Sequence, residues 1–159
     1  MRVLGVDPGA FGALALLDTD MDRLDVHDMP IVSVKRPSSQ RKSNVISPTH
    51  LADLVIALSP EVAWIERVHA MPKQGVASSF NFGMAFGLVL GVLAGRQIPF
   101  MLIEPTVWKG TYRLGRDKQA SRLLVSRMFP LSAHLFARVK DDGRAEAALL
   151  AAFGAKNPI

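Results

Sequence analysis

The chain has 159 residues, 49% of them hydrophobic and 21% charged, with a net charge of +5 and a pI near 10.0. That length supports one domain with a proper core and leaves no room for two, and the absence of cysteine excludes disulfides and thiolate metal sites. The surplus of 19 basic over 14 acidic residues points to a polyanionic partner.

Residues 2–6 form a short apolar run that predicts a buried strand, broken by Asp7-Pro8-Gly9. Residues 11–17 predict a second strand, Asp18-Thr19-Asp20 a turn and 23–29 an edge strand, so two adjacent hairpins open the fold. Residues 33–47 are polar and aperiodic, with Lys35, Arg36, Arg41 and Lys42 among serines, and predict a mobile surface loop. Ser47-Pro48 marks a helix start whose apolar stripe is Leu51, Leu54, Val55 and Leu58, and Ser59-Pro60 ends it. The strand 62–66 closes on Glu66.

Residues 78–95 predict an apolar helix carrying Gly83, Gly87, Gly91 and Gly95 on one face. Each glycine costs a helix up to ~1 kcal/mol relative to alanine, so the face needs a packing reason. Two are available: close helix contact in a dimer, or a flat seat on the chain's own sheet. The longest apolar stretch, 84–94, falls short of the ~20 residues of a membrane span, and no signal-like segment opens the chain. A soluble, cytoplasmic protein is expected. Residues 99–103 predict a strand closed by Glu104-Pro105, 106–109 a short helix, 117–128 a basic amphipathic helix and 145–153 a final helix stopped by Gly154. The order predicts an α/β fold with a mixed five-stranded sheet: three antiparallel strands, then alternating strand and helix, with helices on both faces.

Four acids stand where such a fold would gather them. Asp7 and Glu66 end two apolar strands; Asp142 and Glu146 lie four residues apart at the start of an Ala/Leu-rich helix, on one face if the helix begins by Asp142. Converging carboxylates repel one another, a cost tolerated mainly where divalent cations bind. Asp141 competes with Asp142 for the same place, and Glu104 is a lower-ranked candidate at a third strand end.

The sequence Val6-Asp7-Pro8-Gly9, then Ile65-Glu66-Arg67-Val68, then an acid pair before Ala145-Glu146-Ala147-Ala148-Leu149-Leu150-Ala151 resembles the RuvC family of Holliday-junction resolvases, which are RNase H-like nucleases. The segment from Glu66 through Gly75 to Gly83, and Pro105-Thr106-Val107-Trp108-Lys109, resembles the phage and prophage branch of that family. The resemblance runs in order along nearly the whole chain. It implies Asp7, Glu66, Asp142 and Glu146 as ligands of divalent metal, two Mg²⁺ per site with Mn²⁺ as the alternative, and Lys109 and Lys118 as basic residues near the scissile phosphate. Two positions depart from the family pattern: His69 stands where cellular members carry a base-stacking phenylalanine, and Asp142 and Glu146 are four residues apart rather than three.

On that reading the chain is a crossover-junction endonuclease that leaves 5′-phosphate and 3′-hydroxyl ends, with Lys109 stabilising transition-state charge. Arg113, Arg116, Lys118, Arg122 and the basic loop would contact phosphates, while His69 and Met71 would wedge open the junction centre. Paired nicks in a two-fold symmetric junction require two sites, hence a homodimer. The alternatives are a phage-type nuclease that debranches DNA more broadly and a junction-binding protein impaired in cutting. An actin-like ATPase is excluded, because that fold needs two such domains.

Overall fold

Strand β1 (Arg2–Asp7) is the centre of the molecule. Val3, Leu4 and Val6 are fully buried, because its two faces support two separate cores. β2 (Ala13–Asp18) pairs antiparallel with β1, and β3 (Arg23–Asp28) antiparallel with β2. On the other side β6 (Val62–Glu66) runs parallel to β1, and β7 (Phe100–Ile103) parallel to β6, giving the order β3-β2-β1-β6-β7. The computed structural model describes residues 1–35, 42–69, 75–115 and 117–158, apart from the Lys118 side chain. This is the mixed five-stranded sheet the sequence predicts.

One face is covered by α5 (Asp142–Lys156), an Ala/Leu-rich helix buried from Ala147 to Phe153. It can lie on β1 because position 5 is glycine: a Cβ there would strike the Ala147 carbonyl. α4 (Lys118–Met128) and a 3₁₀ segment, Pro130–Phe136, cover α5 from outside. The opposite face carries α1 (Pro48–Leu58) and α2 (Val76–Gly95). Ser47 caps α1 by accepting from the His50 N–H, with Pro48 in the first turn, as expected of that sequence. A short helix, α3 (Pro105–Thr111), follows β7.

Three expectations are corrected. Across the expected loop 33–47, β4 (Ile31–Lys35) and β5 (Lys42–Ile46) pair as an antiparallel two-stranded sheet, and residues 36–41 lie outside the described residues. The hairpin is exposed along most of its length, so its side chains show no alternation. Gly154 does not stop the last helix, which continues to Lys156; the glycine is there because a Cβ would strike the Trp64 ring. Finally, α2 has 20 residues and, by length and composition alone, is long and apolar enough to cross a membrane. Ala85, Val89 and Leu93 pack on the sheet, while a Cβ added at Gly83, Gly87, Gly91 or Gly95 meets open space. The glycines therefore do not seat the helix on its own sheet.

Candidate active site

Strand register places the first two acids. Val6 pairs with Ile65 across the parallel β1–β6 ladder, so Asp7 and Glu66 leave the same edge of the sheet side by side. Gly143, at the start of α5, faces the Asp7 loop: a Cβ there would lie 2.7 Å from the Phe11 carbonyl oxygen and 3.0 Å from Asp7 Oδ2. Only glycine lets the helix start this close to Asp7, and that brings Glu146, one turn on, to the same edge.

The electrostatics record the crowding. Burial, then the neighbouring charges of Glu146 and Glu66, push the Asp7 carboxyl up to about 7, against a backbone hydrogen bond from Gly9 and the Lys109 charge. Glu66 is raised for the same reasons, burial first and Glu146 second, with Lys109 and a hydrogen bond from Trp108 opposing. Lys109 balances the group. Its Nζ donates to Glu146 Oε1 at 2.8 Å and sits 5.0 Å from the centre of the Trp108 ring. Burial works against its charge, yet the bond to Glu146 and the fields of Glu146, Glu66 and Asp7 outweigh it and raise its pKa.

Trp108 contacts the cluster, a contact the sequence reading does not assign. It is fully buried on α3, and its Nε1 donates to Glu66 Oε2 at 3.0 Å, fixing the carboxylate's orientation. Its sequence signal was its place in the segment Pro105-Thr106-Val107-Trp108-Lys109.

The remaining predicted residues divide. Asp142 lines the same cleft as Asp7 and Glu146, and lies 2.9 Å from Arg122 Nε of α4. That contact is an ion pair. Asp141 lines the same cleft but is held by Arg138. It is 1% exposed and accepts from the Arg138 backbone N–H at 2.8 Å and the Arg138 guanidinium at 2.7 Å. Burial opposes its charge, but the Arg138 bonds keep its pKa below the ordinary range. Glu104 turns away to pair with His69 at 3.0 Å and Arg67 at 3.6 Å. His69 is exposed in the segment after β6, and Arg113 is exposed beyond α3 with a left-handed φ of 53°. Lys35 and Lys42 face each other on the hairpin. Met71, Arg116, Arg36, Arg41 and the Lys118 side chain lie outside the described residues.

Asp7, Glu66 and Glu146 are hard oxygen donors, partly desolvated and mutually repelling, which is donor chemistry suited to Mg²⁺ or Mn²⁺. Among the described residues no three acidic, cysteine or histidine side chains are grouped to hold one ion; Glu146 pairs with Lys109 at 2.8 Å and Asp142 with Arg122 at 2.9 Å. The donor set fits a divalent cation; the present side-chain positions favour the internal cations.

No family model and no curated protein matches the sequence. Solved structures do. Thermus thermophilus RuvC in complex with a Holliday-junction substrate superposes with a TM-score of 0.65 at 17% identity, covering 98% of this chain and 95% of that one. A second Thermus thermophilus RuvC structure gives 0.59 at 17% identity, covering 98% and 96%. The fowlpox virus Holliday-junction resolvase gives 0.54 at 11% identity, covering 99% and 100%. Over essentially its whole described length, the chain has the RNase H-like fold of the RuvC and poxviral resolvases.

Proposed function

We propose that this chain is a metal-dependent, structure-selective endonuclease that cuts four-way DNA junctions. The observation that carries the reading is the meeting of Asp7, Glu66 and Glu146 around Lys109 at one sheet edge, in a basic chain with a resolvase fold. Asp7, Glu66 and Glu146 would hold the divalent cations, with Asp142 as fourth donor once a DNA phosphate competes for Arg122. Bound there, two cations would supply charge neutralisation, an activated water and help for the leaving oxygen. Glu66 is held to one orientation by Trp108, and Asp7 must lose its proton before it can take part. Lys109, displaced from Glu146, is placed to face the phosphoryl oxygens as negative charge develops. In-line attack would leave a 5′-phosphate and a 3′-hydroxyl.

Two nicks need two sites. The open glycine face of α2, flanked by exposed Phe80 and Met84, supports a homodimer in which two such helices meet. The test is cleavage of an immobile four-way junction beside a three-way branch and a matched linear duplex, with Mg²⁺. Symmetric nicks confined to the four-way junction support the proposal. Equal cutting of both branched substrates would instead favour a general debranching nuclease, and binding without cutting an impaired junction binder.

A further inference from the structure

The acid cluster does not stand alone at the sheet edge. It forms one end of a cleft of about 950 Å³ between the β4–β5 hairpin and the N-terminal half of α2. That is at the upper end of the ~300–1,000 Å³ range of pockets that enclose small organic groups. Asp7 and Glu146 line it together with Phe82, Met84, Asn81 and Asn44. Phe82 packs beside the Asp7 loop, its Cε2 lying 3.8 Å from where a Gly9 Cβ would be. Phe11 is the most conspicuous wall residue. Its carbonyl is pressed against Gly143, yet its side chain is 85% exposed at the cleft. On the hairpin, the Ser33 hydroxyl and Asn44 Oδ1 lie 2.8 Å apart, which orients the carboxamide.

An exposed aromatic ring, a second ring lining the same cleft and two carboxamides are the surfaces that recognise a nucleobase: flat faces for stacking and an edge that both donates and accepts. A base within a duplex offers no free face, so the occupant must be unstacked. The carboxylates at the cleft's end fix which base that is. We propose that the cleft receives one unstacked nucleobase adjoining the cleaved phosphate, stacked against Phe11 and Phe82 with its edge towards Asn81 and Asn44. It thereby sets the preference for sequence at the cut. The inference rests on the nuclease reading above and deepens it.

The test measures cleavage and binding of four-way junctions carrying each base, and an abasic site, at the nucleotides flanking the cut. Wild type should prefer one base and lose on the order of 10-fold on the abasic junction. Phe11→Ala and Phe82→Ala should flatten that preference, and Phe11→Tyr should restore it. Phe11 is so exposed that its replacement leaves the fold intact. A preference unchanged in both alanine variants, or none in wild type, would overturn the proposal. If wild type binds junctions and cuts none, the nuclease reading fails separately. The cleft is then judged on affinity: intact over abasic in wild type, and equal in the variants, supports it, and no difference in wild type refutes it.

Discussion

Asp7 carries the most consequence of any residue. Its raised pKa means that the folded protein keeps a proton which the unfolded chain releases. Between roughly pH 4 and pH 7 the unfolded state ionises first, so metal-free stability should fall across that window and level off above it. Asp7→Asn should flatten the slope and stabilise the metal-free protein by a few kcal/mol above pH 7, checked by urea unfolding at stepped pH. The same substitution should reduce cleavage by about 10³-fold or more, since a residue that would hold the divalent cations is lost. Gly143→Ala probes the approach of α5 to Asp7: the added carbon meets the Phe11 carbonyl at 2.7 Å, so the protein should lose about 1–3 kcal/mol, read by thermal melting. Asp7, Glu66 and Glu146 were legible in the sequence because strand ends and a helix start can be read from local pattern. The Trp108–Glu66 bond was not, since it joins residues 42 apart through a buried indole. Nor were the Arg138–Asp141 bonds, which depend on Arg138 folding back over the carboxylate.

Elements separate by how much local pattern they carry. The sheet strands were readable because most are apolar on both faces, as strands covered by helices on each side must be. The β4–β5 hairpin was missed because exposure removes alternation, and the end of α5 because Gly154 answers to Trp64 rather than to a helix cap. Helix α2 shows the limit of pattern most clearly: the glycine stripe was visible, but which surface it meets depends on the opposite face seating Ala85, Val89 and Leu93. Gly87→Ala and Gly91→Ala should each stabilise the monomer by about 0.5–1 kcal/mol, since no atom opposes the new methyl. If two α2 helices meet in the dimer, the same substitutions should shift it towards monomer in sedimentation equilibrium. A dimer unaffected by both would place the interface elsewhere.

For the molecule as a whole, charge and architecture have opposite signs. A chain of net +5 carries an acidic edge, which would repel DNA until its charge is neutralised. Lys109 and Arg122 offset part of that charge internally, through their ion pairs with Glu146 and Asp142. Junction binding should therefore be strongly salt-dependent, weakening by about 10³-fold or more between 50 and 200 mM salt if six or more phosphates are engaged. The most direct measurement is cleavage of a four-way junction with Mg²⁺ by wild type, Asp7→Asn and Glu66→Gln, followed by ligation of the products. Symmetric nicks that reseal with ligase, present in wild type and absent from both variants at unchanged junction affinity, are the predicted result. Wild-type cutting that survives either substitution would contradict the acidic site proposed here.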